Sequence, residues 1–159
     1  MNDGLLHAGE VLVRVAVSVV VGASIGLNRW LRHKPAGFGT HGLVSLGAAL
    51  AIMTAMRVPG GDAAAVTRVA QGLVTGVGFI GAGVIMREGS REIHGLTTAA
   101  SIWTSAILGI ACGAADFIVV GIGFFFALGV LILSKPCEDL MARVLKRDQD
   151  HEMQHGGEG

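Results

Sequence analysis

Thr97, Ser101 and Ser105 recur every fourth residue with Gly109 continuing the series, and Gln71 and Thr75 repeat that spacing shortly after Arg68. On a helix, residues four apart share a face, so each set lays a polar stripe along an apolar segment. Hydroxyls and amides in such stripes bond their own backbone carbonyls or a neighbouring helix, or they line a groove that binds a ligand or partner; both readings stand, and the two stripes can meet. The spacing offers no nucleophile joined to a base and an acid, so no catalytic residue is assigned and no enzyme is expected. Cys112 and Cys137 lack metal-ligand spacing and read as free thiols, while His151 and His155 belong to a polar tail, so neither a metal site nor a cofactor is expected. Gly76 to Gly83 imitates a phosphate-binding glycine loop, but it lies inside an unbroken apolar run with no strand before it, and packing is the better account.

The elements that carry these residues must live in lipid. Of the 159 residues 52% are apolar and 15% charged, with a mean hydropathy of +0.62, too apolar for an ordinary soluble domain of this size. Five apolar runs, Val11 to Leu27, Gly42 to Met56, Val69 to Met86, Leu96 to Cys112 and Phe117 to Leu133, are divided by charged or turn-forming segments. As helices they would be roughly 23–27 Å long, slightly short for a hydrocarbon core of about 30 Å, so flanking residues must extend them or the bilayer must thin. A soluble bundle would need a polar stripe on every helix, and Ile118 to Leu133 has none; a barrel would need alternation, and these runs are apolar at every phase. The expected fold class is all-α, a polytopic membrane protein of five short, glycine-rich transmembrane helices.

Orientation follows from the basic residues. With the N-terminus outside, Arg29, Arg32, Lys34, Arg87, Arg91, Lys135, Arg143, Lys146 and Arg147 fall inside, and Arg14, Arg57 and Arg68 lie outside or at the outer interface. Met1 to Glu10 holds no Lys or Arg, unlike a secretory signal, so the first run is expected to be retained. The expected division is a transmembrane domain over 1–134, an amphipathic interfacial helix over 135–147 and a disordered tail over 148–159. Gly113-Ala114-Ala115-Asp116 is expected to form a tight turn between the fourth and fifth helices. Twelve basic residues balance twelve acidic ones, so the overall charge points to no nucleic-acid partner.

Small residues are the clearest local signal. Gly22 and Gly26, Gly72 and Gly76, and Gly109 and Gly113 form GxxxG pairs, which let helix backbones approach where lipid supplies no hydrophobic push. Glycine is densest on the third helix, which makes that helix the expected central element and Gly72, Gly76, Gly78, Gly81 and Gly83 the expected packing or partner face, in a bundle or a homo-oligomer. Arg68, Gln71, Thr75, Thr97, Thr98 and Ser101 are the expected polar contacts. All twelve carboxylates lie outside the cores of the runs, and no Lys, Arg or His falls at a run's middle. Transporters commonly place an ionisable group or broken helix near the midplane, and a magnesium path wants converging oxygen ligands. Binding and modulation of another membrane component therefore outranks catalysis and transport; a divalent-cation path built by an oligomer from hydroxyls and carbonyls is the alternative.

Three stretches carry a family resemblance: Lys34-Pro35-Ala36-Gly37-Phe38-Gly39-Thr40-His41 with Leu43 to Leu50, Gly76 to Ile85, and Gly95-Leu96-Thr97-Thr98-Ala99-Ala100-Ser101-Ile102-Trp103. In this order and spacing, and with Ile25-Gly26-Leu27 before them, they resemble the MgtC/SapB family of inner-membrane proteins over roughly residues 22 to 113. Lys34, Gly37, Thr40 and His41 then mark a cytoplasmic loop motif. Two acidic positions of the family pattern are lost: Asn28 stands where an acidic residue is common before Arg29, and Ala65-Val66-Thr67-Arg68 replaces an Asp-Pro-Thr-Arg stretch. The family's glutamine falls at Gly72, one place after Gln71. The chain looks like a short form without the soluble C-terminal domain of longer members. The resemblance implies a bacterial inner-membrane protein linked to adaptation to low magnesium and, in pathogens, to virulence and survival inside macrophages. It implies a regulator, with F-type ATP synthase as a partner, and the name of magnesium transporter attached to the family is the alternative.

Overall fold

The computed structural model describes residues 2–58, 63–88 and 92–155. Its elements are α1 (Asn2–Leu31), α2 (Phe38–Arg57), α3 (Ala63–Ala82), β1 (Met86–Glu88), β2 (Glu92–His94), α4 (Leu96–Gly113) and α5 (Phe117–His155). All five helices are long and apolar enough to cross a membrane, as the apolar runs predict. The strands form one antiparallel hairpin with Met86 opposite His94 and Glu88 opposite Glu92. The third helix therefore stops at Ala82, four residues before the end of its apolar run, because Met86 is taken into strand pairing.

Two helix ends show why the connections are tight. After α1, His33 adopts a left-handed φ of 55°, its N–H bonds the Trp30 carbonyl at 2.9 Å, and the Lys34 N–H bonds the Arg29 carbonyl at 3.1 Å. This is the Schellman pattern, which satisfies carbonyls that the end of a helix would orphan. The same pattern closes α4, with Ala115 at φ 61°, its N–H on the Cys112 carbonyl at 3.0 Å and the Asp116 N–H on Ala111 at 3.0 Å. Asp116 then turns to the next helix, its Oδ1 accepting from the Val119 N–H at 3.1 Å as an N-cap of α5. The expected turn at Gly113 to Asp116 is present in full.

The chain divides into two compact units whose boundary falls inside α5, between Ala127 and Leu128. In the first unit α2 is the central element, packed against both α1 and α4, which also meet each other. This corrects the expectation that the third helix occupies the centre. The reason is where glycine meets backbone. A Cβ at Gly22 would stand 2.5 Å from the His41 carbonyl oxygen and 2.7 Å from the Ser45 Cβ, and one at Gly26 would stand 2.5 Å from the Phe38 Cα. On the other side a Cβ at Gly113 would stand 2.6 Å from the Ala49 carbonyl oxygen, and one at Gly109 would collide with that of Ser45. Two GxxxG pairs thus clasp one helix that itself offers Ser45, Ala48 and Ala49. Ile25, Ile52, Ile102 and Cys112 fill the remaining space and are fully buried.

The α3 helix packs on α2 and α4 through Val77 and Gly81, its two buried residues. In the second unit α5 continues without a break through Pro136 to His155, where the sequence separates a span, an interfacial helix and a tail. Leu140 and Met141 are exposed. Arg91, residues 156–159 and the side chains of Arg143, Val144, Leu145, Lys146 and Arg147 lie outside the described residues.

Candidate functional site

Where α1 ends and α2 and α4 begin, the bundle encloses a chain of polar side chains. The buried face of α1 runs Ser18, Gly22, Ile25, Arg29, so helical periodicity carries a guanidinium into the interior one turn past the last apolar residues. Arg29 is 5% exposed and its Nη2 donates to the Thr98 Oγ1 of α4 at 2.6 Å. One turn along α4, the Ser101 hydroxyl lies 2.8 Å from the Thr98 carbonyl and 2.9 Å from Nε2 of His41. His41, in the first turn of α2, has its Nδ1 3.0 Å from the Gly37 carbonyl. Ser105 extends the stripe, donating to the Ser101 carbonyl at 3.0 Å. His41, Thr98 and Ser105 are completely buried.

Hydrogen-bond accounting fixes part of this network. A carbonyl can only accept, so Nδ1 of His41 must carry a proton toward Gly37. The single Ser101 proton then faces two acceptors in neutral histidine, Nε2 and the Thr98 carbonyl. In the imidazolium form Nε2 donates to Ser101, and the hydroxyl is free to serve Thr98. The network therefore has two internally consistent arrangements that differ by one proton and one hydroxyl rotation. Three further atoms nearby are buried without a partner: Nε of Arg29, Oδ1 of Asn28 and Oγ of Ser45. Orphaned polar atoms in a closed interior are costly, and their clustering here marks a place where packing alone does not set the residue types.

The Ser101–His41 distance is that of a nucleophile and a base, a pairing that residue spacing does not reveal because 60 residues separate the two. Ser101 is 4% exposed, its oxygen is already engaged twice, and Nδ1 of His41 is held by a carbonyl in place of a carboxylate. The pair ties α2 to α4 and presents no attacking oxygen to a substrate.

The expected site residues divide into two groups. Thr98, Ser101, Gly37 and His41 join in the network. Lys34 is exposed beside it, its N–H held in the α1 terminus, and Thr40 and Thr97 face outward. On α3, Arg68, Gln71 and Thr75 are exposed, with Nε of Arg68 bonding the Ala64 carbonyl at 3.2 Å and the Thr75 hydroxyl bonding the Gln71 carbonyl at 2.9 Å. The two polar stripes consequently do not meet, because the α4 stripe is turned toward α1 and α2. Among the glycines, a Cβ at Gly72, Gly76 or Gly78 would meet nothing within 4 Å, Gly81 packs on Ala99 with 3.5 Å between Cβ positions, and Gly83 sits in the turn closing α3. Sequence spacing missed Arg29, Asn28 and Ser45. The signal for Arg29 was available, since Ile25 and Arg29 are four apart and a helix need not stop where apolarity does.

At the other end of the bundle, Arg14 reaches from α1 to the last residue of α4, its Nη1 donating to the Gly113 carbonyl at 2.7 Å while Nη2 pairs with Glu10. A cation on a helix C-terminus satisfies free carbonyls and opposes the negative end of the helix dipole.

Residues 15–140 match the model of the MgtC family. The chain is 40% identical over 142 residues to Protein SrpB of Synechococcus elongatus, a match covering 80% of this chain and 78% of that protein. It is 38% identical over 122 residues to Protein MgtC of Brucella abortus, covering 77% and 50% respectively. With Protein MgtC of Salmonella typhimurium it shares 41% identity over 110 residues, covering 67% and 44%. The chain thus spans about half the length of these MgtC relatives. No solved structure matches it. None of these three names designates an enzyme.

Proposed function

The chain belongs to the MgtC family, a multi-pass protein of the bacterial inner membrane, and on that footing we propose that it is a non-enzymatic regulator acting by helix-to-helix contact with another membrane complex. The setting is adaptation to low magnesium and, in a pathogen, survival inside macrophages; F-type ATP synthase is the candidate complex. The N-terminus lies outside, so the Arg29 network faces the cytoplasm.

The observation that carries this reading is the open face of α3. Arg68, Gly72, Thr75, Gly76 and Phe79 lie on one side of the helix, and Phe79 is 85% exposed. A Cβ at Gly72 or Gly76 would touch nothing, whereas the GxxxG pairs of α1 and α4 are each filled by a helix backbone. Glycine inside a helix costs roughly 1 kcal/mol relative to alanine, and in this protein the other two pairs offset that cost by close approach. The α3 pair has the same geometry with its partner position vacant within the protomer, which suits a helix from outside it.

A divalent-cation path is the weaker reading. The buried ionisable cluster at the helix ends is led by a guanidinium, which repels a cation, and no group of three metal-ligating side chains forms among the described residues.

Gly76→Leu tests the proposal cleanly, because the protomer has room for the side chain. In an affinity pull-down from native membranes in mild detergent, the wild-type chain should retain a membrane complex identifiable by mass spectrometry and the variant should lose it while still inserting. Retention of the same partner by Gly76→Leu would move the contact to another face. Magnesium flux through vesicles containing the purified chain, above that of empty vesicles, would favour the transporter.

A further inference from the structure

Where α1 begins and α2 ends, two cavities share a wall. One is a cavity of about 200 Å³ lined by Glu10, Arg14, Met53 and Met56 together with His7, Val11 and Arg57. The other is a groove of about 720 Å³ running along α1 past Ala8, Leu12 and Val15, and the same His7, Val11 and Arg57 line it too. Apart from His7 and Arg57 the groove is aliphatic.

Charge and depth both point to the occupant. Glu10 is the only carboxylate lining either cavity among the described residues, and Arg14 already pairs with it. That leaves the Arg57 cation at the junction without a neutralising group among the described residues of the cavity walls. Arg57 is the last residue of the second span. Arg57 therefore stands where that span meets the headgroup layer, and the groove descends from it along α1 toward the bilayer centre.

We propose that this end of the bundle holds one anionic phospholipid, with its phosphate on Arg57 and an acyl chain in the groove along Ala8 to Val15. The Glu10 oxygen not used by Arg14 can accept from a headgroup hydroxyl, which favours phosphatidylglycerol among anionic lipids.

The test is native mass spectrometry of the full chain released from nanodiscs of equal phosphatidylglycerol and phosphatidylcholine. One lipid should stay bound, with phosphatidylglycerol preferred about tenfold, the value of one good charge-assisted contact. Arg57→Gln should bring that preference close to unity. Ala8→Trp, which fills the groove and leaves the cations in place, should lower retention of both lipids and guards against misreading an Arg57 variant that folds poorly. Equal retention of the two lipids by the wild type would reduce the site to ordinary lipid contact and overturn the proposal. So would an unchanged preference in Arg57→Gln, or displacement of the lipid by millimolar inorganic phosphate, which would indicate a free-anion site.

Discussion

Arg29 on α1 and Thr98 on α4 meet at 2.6 Å inside the bundle, 69 residues apart in the chain and both withdrawn from solvent. A guanidinium held by a neutral hydroxyl is an incompletely compensated charge, and removing the hydroxyl should be felt. Thr98→Val keeps the shape and deletes the acceptor, and it should destabilise the bundle by about 1–3 kcal/mol, with Thr98→Ser costing much less. Unfolding by SDS titration in mixed micelles measures both. Equal stability of the valine variant would mean that Arg29 finds another acceptor.

The two classes of glycine should respond oppositely to one added methyl group. Gly109→Ala drives a Cβ into the Ser45 carbonyl of α2, backbone that cannot step aside, and should cost about 1–3 kcal/mol or more. Gly76→Ala meets open space and removes a helix-weakening residue, so protomer stability should hold or rise by up to about 1 kcal/mol. Thermal unfolding of the two variants in one detergent separates them; a loss at Gly76 as large as that at Gly109 would show that α3 is packed inside the protomer.

Nδ1 of His41 faces the Gly37 carbonyl at 3.0 Å, which admits a protonated Nδ1 in either charge state. Nitrogen chemical shifts of ring-labelled protein should therefore report a protonated Nδ1. Ser101→Ala should alter the Nε2 signal and leave the Nδ1 signal nearly in place. A neutral ring protonated at Nε2 alone would contradict the network as drawn.

Ala115 closes α4 at φ 61°, where a Cβ is strained and glycine is not. Ala115→Gly should raise stability by up to about 1 kcal/mol in the same SDS titration, and any loss would mean that flexibility gained by the unfolded chain outweighs the strain relieved.

How far the sequence reveals this architecture depends on which physical quantity is asked for. The spans are legible because each is a run of apolar side chains long enough for a bilayer, and the turn at Gly113 to Asp116 because small residues and an acid stand together. The buried network is not legible from hydropathy: Arg29 and His41 lie just beyond their apolar runs, and helices continue through them because backbone hydrogen bonding continues. Glycine counting misplaces the centre for a related reason. A helix clasped on two sides needs glycine on its neighbours, Gly22 and Gly26 on one and Gly109 and Gly113 on the other, while it contributes its own carbonyls at His41, Ser45 and Ala49. The glycine-rich helix is then the one whose close-packing surface is still open. Thr98 and Ser101 stand in the stretch that carries the family resemblance, yet their partners on α1 and α2 appear only in three dimensions.

Arg14 forks between two acceptors, the Gly113 carbonyl at the end of α4 and the Glu10 carboxylate one turn earlier on its own helix. Glu10 is 56% exposed, so solvent screens the ion pair and Glu10→Gln should change stability by no more than about 0.5 kcal/mol. The bond to Gly113 is part-buried and links two helices. Lysine keeps the charge but cannot reproduce the planar fork, so Arg14→Lys should cost about 1 kcal/mol or more, and Arg14→Met more again. The order of the three variants in an SDS titration is the diagnostic. If Glu10→Gln proved the most damaging, the role of Arg14 would lie in the ion pair, and the tie between α1 and α4 would have to come from packing alone.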